Sequence, residues 1–240
     1  MVKLWETCVA MLVICMAFAM SFHYYKAGAS DPAPLQDFCI GVNDPNSAVI
    51  VNGLLCKNPK KVTSQDFVFN GFNQIGDTNN VLGSNVTVVD VTLFPGLNTQ
   101  GVSVAHVDFG PFGLNTPHHH PRASEILTVI SGTIYVGLVT TEYELFSAVL
   151  NTGDLFVFPQ GLVHFQLNLE NTTARVNTAF GSQHPGRVDL PQSLFGVMPK
   201  ILDDVLTKAY QVDKYIVEEL RYQFDALNGI EIERSSKKNE

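Results

Sequence analysis

Few residues of this chain carry charge: 16% of 240, against 45% that are hydrophobic. That balance and length give one domain with a sizeable core, or at most a β-barrel with a helical appendage. Positive charge is the scarcer sign, with 15 Lys and Arg against 23 Asp and Glu and a formal net charge of −8. An acidic surface repels nucleic acid, so no nucleic-acid partner is expected. Internal repeats and low-complexity tracts are missing, and nothing marks off a separate domain. Long apolar runs are also missing after residue 29, which leaves no membrane segment in the remainder of the chain.

What the N-terminus does have is Lys3, then an apolar stretch from Cys8 to Phe22, then the small-x-small triplet Ala27-Gly28-Ala29. The run is shorter than the ~20 residues a membrane span needs, so residues 1–29 read as a secretory signal, with an uncleaved anchor as the alternative. Cleavage removes Lys3, Lys26 and Glu6, a net +1, and takes the secreted part from −8 to −9. It also removes Cys8 and Cys15 from the four cysteines. Cys39 and Cys56 remain, an even pair in an oxidising compartment, and a disulfide between them is expected over two free thiols. Closing that loop stabilises by about 3 kcal/mol in the chain-entropy model. Asn85-Val86-Thr87 and Asn171-Thr172-Thr173 are acceptor sequons for N-glycosylation, a triplet that also arises by chance.

Along the chain, residues 30–62 are rich in Pro, Asn and Asp and read as irregular chain held under the disulfide. Residues 63–200 read as the barrel, because from Asn85 to Phe180 short β-branched runs alternate with Gly, Pro, Asn and Thr and no helical period lasts two turns. Over 201–230 the period changes. Ile201, Val205, Ala209, Val212, Ile216, Leu220, Phe224 and Leu227 recur every three or four residues, and Gly229 closes the last of two or three short helices. That apolar stripe exceeds what one side of a barrel needs, so it packs either within the chain or against a neighbouring subunit. Residues 231–240 read as a polar, disordered tail.

The chemistry concentrates in two short segments. Thr116-Pro117-His118-His119-His120-Pro121 follows the alternating run Val102 to Phe109. At a strand end, side chains two apart share a face, so His118 and His120 point one way and His119 the other. Glu125 has the wrong parity for a straight continuation, but Pro121 cannot donate to a sheet ladder and breaks the strand, which resets the phase. Further on, Gly153 to Phe158 is another strand, Pro159-Gln160-Gly161 turns the chain, and His164, Gln166 and Asn168 line one face. Three imidazoles and one carboxylate from His118, His120, Glu125 and His164 read as a metal site. Any one of these alone is more often an ordinary core or surface residue; the four together are not. Their net charge of −1 becomes +1 with a divalent cation, attractive to small anions, and an octahedral ion keeps two positions open. Mixed N/O donors suit several transition metals, and spacing does not choose among them.

Written as spacings, the segments are His-x-His-x4-Glu-x6-Gly from His118 to Gly132 and Gly-x5-Pro-x-Gly-x2-His-x3-Asn from Gly153 to Asn168. They resemble the two cupin motifs. Leu35-Gln36-Asp37-Phe38-Cys39, the stretch Pro117 to Ile126, and Gln183 to Gly196 with Leu206-Thr207-Lys208-Ala209 narrow the resemblance to the plant germins and germin-like proteins. The resemblance covers nearly the whole mature chain and includes cysteines where the family has its disulfide. It implies an all-β cupin jelly-roll barrel with a short C-terminal α-helical region. It further implies one Mn2+ per subunit, a homo-oligomer that is usually a hexamer, and location in the extracellular space, apoplast or cell wall.

The family also sets the functional alternatives. Superoxide dismutase-type chemistry producing hydrogen peroxide, with a role in defence or cell wall, is expected first. Oxalate oxidase ranks lower, because the strand Ser103 to Phe109 carries Ala105 where the oxalate-oxidising germins carry an Asn directed at substrate. Losing such a donor to a charged ligand costs about 1.5–3 kcal/mol. Asn115, the second substrate-side amide of the family, is retained. A non-enzymatic wall, receptor or nutrient reservoir role is the third reading, although reservoir proteins generally lack an intact ligand set. Phe112 replaces the first glycine of a family Gly-Gly pair and is expected to narrow the barrel mouth. Asn151-Thr152 stands where many relatives carry a basic residue, with no loss of metal expected. His106 and His184, outside both motifs, are expected to be structural.

Overall fold

The computed structural model describes residues 36–42, 44–51 and 53–224, so the expected signal with Cys8 and Cys15, the expected helix closure at Gly229 and the expected polar tail lie outside the described residues. Two five-stranded antiparallel sheets make the jelly roll. The first pairs β12 (Val188–Asp189), β5 (Leu114–His119), β10 (Val163–Asn168), β7 (Thr133–Val139) and β8 (Leu145–Asn151) in that order. The second runs β3 (Ser84–Val89), β4 (Ser103–Phe109), β11 (Ala174–Phe180), β6 (Glu125–Ser131) and β9 (Leu155–Phe158).

Alternation explains what lies between the sheets. Leu127 and Val129 on β6, Ile134 and Val136 on β7, Val107 and Phe109 on β4, and Ala174 and Val176 on β11 form one buried cluster with Phe158 and Leu150. Their neighbours Ile126 and Ile130 point outward. Gly132 makes the sharp turn from β6 to β7 at φ +85°, and a Cβ there would stand 2.5 Å from the Ala174 side chain, so only glycine fits.

The outer face of β4 is not free. His106 and Asp108 on it are buried beneath a strap of residues 68–83. Asp108 accepts from the Gly76 N–H at 2.7 Å and from Arg175 Nε at 2.6 Å, Arg175 Nη1 donates to the Asn73 carbonyl at 3.1 Å, and Phe72 stands edge-on to the His106 ring with centroids 5.2 Å apart. The buried carboxylate thus takes one partner from the strap and one from β11.

Before the strap, the segment expected to be irregular contains a hairpin of β1 (Ala48–Val51) and β2 (Leu54–Lys57). Four-residue strands around Gly53 are too short to show a period. Cys39 and Cys56 are joined, with Cα atoms 5.0 Å apart, and both are buried. The Asn98 side-chain amide donates to the Cys39 carbonyl at 2.8 Å and Lys57 pairs with Asp66 at 2.6 Å, so the hairpin is fastened to the body at several points.

Helix α1 (Leu190–Phe195) lies inside the span read as barrel. Asp189 caps it by accepting from the Gln192 N–H, and a single turn and a half leaves no apolar period to detect. Helix α2 (Asp203–Tyr210) and the helical residues 214–224 follow as expected. Leu206 and Val217 are buried, and Arg221 ties the two segments by donating to Asp203 and to the Ile201 carbonyl. Leu202, Val205, Tyr215 and Tyr222 remain exposed. No helix among the described residues is long and apolar enough to cross a membrane.

Candidate metal centre

β5 delivers His118 to the interior and His120 follows just past its end. The chain turns at Pro121-Arg122, and Glu125 opens β6 with the phase reset, facing inward. His164 stands on β10, registered directly against His118. All four are buried, and their ligand atoms lie within 4.8 Å of one another. Metal–ligand bonds of about 2.1 Å place neighbouring donors about 3 Å apart and opposed donors about 4.2 Å apart, so one ion fits this spacing.

The imidazole tautomers follow from the backbone. His118 Nδ1 lies 2.7 Å from the Thr116 carbonyl, His120 Nδ1 2.5 Å from the Gly186 carbonyl and His164 Nδ1 2.8 Å from the Leu162 carbonyl. A carbonyl only accepts, so each Nδ1 carries the proton and each neutral ring keeps its lone pair on Nε2. Those Nε2 atoms converge on the carboxylate: Glu125 Oε2 is 3.0 Å from His120 Nε2 and 3.3 Å from His164 Nε2. His164 Nε2 is buried with no hydrogen-bond partner. Lone pairs facing lone pairs at these distances are repulsive until a cation sits among them, and the residues present fit a divalent metal.

The electrostatics agree. Burial, then the nearby Arg187 guanidinium, holds His118 far below the usual imidazole range, so it is neutral and ready to ligate. Burial pushes the Glu125 carboxyl up, and positive charge on the His120 and His164 side outweighs that and holds it below the usual carboxylate range; with both rings neutral, that charge has to come from the cation. Carbonyls orienting the far ring nitrogens are the outer shell that metal-binding histidines require.

Beside this group opens a cavity of about 270 Å³. His118, His120, Glu125 and Asn115 form its floor, and Val86, Val88, Ala105, Val107 and Phe180 its walls. Asn115 donates through its side-chain amide to Gln166 Oε1, and the buried Gln166 Nε2 has no partner.

The other sequence expectations resolve individually. His119 faces away, half-buried in register with Val188. His106 lies under the strap. His184 is at the cavity mouth, with Nδ1 2.8 Å from Asp90 Oδ2. Phe112 does not narrow that mouth: it is 63% exposed in the β4–β5 turn, at the opposite end of the barrel, where its N–H bonds the Glu170 carbonyl at 3.0 Å. The parity of β4 sends its Ala105 end to the cavity and its Phe109 end away. Sequence reading missed Arg187 and Asp90 as cavity residues, since neither belongs to a spaced motif and only the fold brings them to the rim.

The cupin family model matches residues 70–218. Germin-like protein 8-2 of Oryza sativa subsp. japonica is 52% identical over 204 residues, covering 83% of this chain and 91% of the relative. Germin-like protein subfamily 1 member 13 of Arabidopsis thaliana is 46% identical over 216 residues, 89% of this chain and 96% of that one. Among solved structures, an oxalate oxidase in complex with the substrate analogue glycolate superposes with a TM-score of 0.76 at 43% identity, covering 81% of this chain and 98% of the other. Motif geometry, sheet order and these likenesses agree, and the chain belongs to the germin-like proteins of the cupin family.

Proposed function

We propose that this germin-like protein is secreted to the plant apoplast, carries one manganese ion per subunit on His118, His120, Glu125 and His164, and converts superoxide into dioxygen and hydrogen peroxide. The observation that carries the reading is the convergence of three proton-free Nε2 atoms and one carboxylate beside an open cavity. When bound, the metal supplies one-electron redox chemistry, two superoxide anions and two protons giving one dioxygen and one hydrogen peroxide. The protein's part is to fix the donors, hold the site at a net charge that draws small anions, and confine access to the cavity beside them. The protons come from solvent entering by that cavity.

Oxalate oxidase remains the second reading, favoured by the likeness to a solved oxalate oxidase and by Asn115 on the cavity floor. Against it, Ala105 and the valines around it offer no donors to a small dianion, and the Asn115 amide already donates to Gln166. A metal held only as a structural rivet in a wall, receptor or reservoir protein is the third. Elemental analysis of the purified, glycosylated protein with both peroxide assays separates them. Manganese with superoxide-dependent peroxide supports the first, oxalate-dependent peroxide the second, and neither activity the third; a metal-free native protein sinks all three.

The same reading includes a homo-oligomer, with the exposed helix residues Leu202, Val205, Tyr215 and Tyr222 as covered surface. For glycosylation, Asn171 is the better acceptor: it is exposed in the turn after β10, whereas the Asn85 side chain lies half-buried against Gly76 of the strap.

A further inference from the structure

We propose that Arg187 is the anion-recognising residue of the metal cavity and that its ligand is a small organic carboxylate with an apolar body, lying between the guanidinium and the metal. The inference deepens the functional reading above and rests on its metal site.

One side of the guanidinium is anchored. Arg187 Nη2 donates to Asp189 Oδ2 at 2.8 Å and to Thr116 Oγ1 at 3.2 Å, and Thr116 in turn donates to the same Asp189 oxygen. Both partners belong to strands of the site, Thr116 on β5 two residues before His118 and Asp189 on β12, so the rigid sheet fixes where the cation sits. Its Nε and Nη1 donors have no protein partner among the described residues, and the residue lines the cavity that also contains His118, His120 and Glu125. A fixed guanidinium with spare donors over a cavity is a carboxylate receptor.

Besides the ligand Glu125, the carboxylates among the described residues that bear on an incoming anion are Asp189, which pairs with the guanidinium, and Asp90, which lines the cavity. Asp90 is already committed, with Oδ2 against His184 Nδ1 at 2.8 Å and Oδ1 accepting from the Thr92 N–H at 2.9 Å. The apolar residues lining the same cavity include Val86, Val88, Ala105, Val107 and Phe180, which offer van der Waals contact and no side-chain hydrogen bond. Such a surface gains nothing from a bare dianion and gains from each methylene it covers, about fourfold in affinity. The volume, about 270 Å³, suits a body of a few carbons and excludes larger drug-sized molecules.

The test uses the manganese-loaded glycoprotein and calorimetric titration with acetate, butyrate, phenylacetate, oxalate and neutral butyramide, with metal content measured on every sample. Butyrate is expected to bind about tenfold or more tightly than acetate, and to outbind oxalate and butyramide. Arg187→Met is expected to weaken butyrate at least about tenfold, Arg187→Lys less, both with metal content unchanged. Full metal content with butyrate binding undetectable, weaker than oxalate, or equal in wild type and Arg187→Met overturns this inference and leaves the metal reading intact. A protein that takes up no divalent metal overturns both.

Discussion

The two ends of the barrel interior are built from the same strands and do opposite things. β6 begins at the metal end with Glu125 and continues inward with Leu127 and Val129; β11 runs the other way, from Ala174 and Val176 in the core to Thr178 and Phe180 beside the cavity. β10 keeps a polar inner face throughout, with His164, Gln166 and Asn168 all buried, and on the neighbouring β5 Asn115 and His118 are buried and polar as well. Strand alternation therefore decides which side chains face in, and their chemistry decides whether they pack or ligate. The apolar end stays out of water with or without a metal, whereas the ligand end is satisfied only when a cation joins it. Folding and metal loading should accordingly be separable.

The sharpest break of that comparison is at the ligand end. His164→Ala is expected to abolish metal binding, a larger loss than the roughly 10- to 100-fold that follows removal of an outer-shell partner. Far-UV circular dichroism should stay unchanged, and the melting temperature should drop only by the stabilisation that the bound ion supplied. Elemental analysis showing an unchanged stoichiometry would refute the ligand assignment. The mirror substitution is Leu127→Ala, which is fully buried in the core. It should cost about 2–5 kcal/mol in urea unfolding while the folded fraction still binds one equivalent of metal. A collapse of metal content there would mean that the two ends are one cooperative unit.

The legibility of the sequence divides along the same line. Ligands must sit at fixed parity on particular strands, so His118, His120, Glu125 and His164 leave a pattern that spacing reveals, and Pro121 explains why Glu125 returns to the inner face. The core strands were readable because period-2 alternation is local. Arg187 was not: its place at the cavity comes from β12 pairing with β5, a contact made by only two residues of strand. The strap was hidden for a similar reason, because Asp108 finds the Gly76 N–H thirty-two residues away and nothing in either neighbourhood announces it. Phe112 misled because a departure from a family Gly-Gly pair suggested a side chain at the barrel mouth, whereas the turn lies at the far end of β4.

Outside the barrel the effects should shrink, and they test whether the coverings matter to the interior. Replacing Cys39 and Cys56 together by serine is expected to cost about 3 kcal/mol, with metal content retained, because the hairpin is also held by Asn98 and Lys57. Loss of metal in that variant would show the N-terminal segment shaping the site from outside.

The smallest effect concerns His106 under the strap. Burial, opposed by the nearby Asp108 charge, holds its imidazole below the ordinary value of 6.5. Below that pH the unfolded chain binds a proton that the folded chain refuses, so this residue's contribution is fully present above 6.5 and is lost as the pH falls through the window beneath it. His106→Phe removes the titration and with it the 3.3 Å contact of His106 Nδ1 with Asp108 Oδ2, while Asp108 keeps Gly76 and Arg175. The variant is expected to match wild type within about 1 kcal/mol at pH 7.5 and to lose stability less steeply between pH 6.5 and 5. The difference is at most about 1.4 kcal/mol per pH unit. Parallel pH profiles for the two proteins would mean that the imidazole charges without disturbing the strap, and that the outer covering, unlike the ligand end, is indifferent to a buried charge.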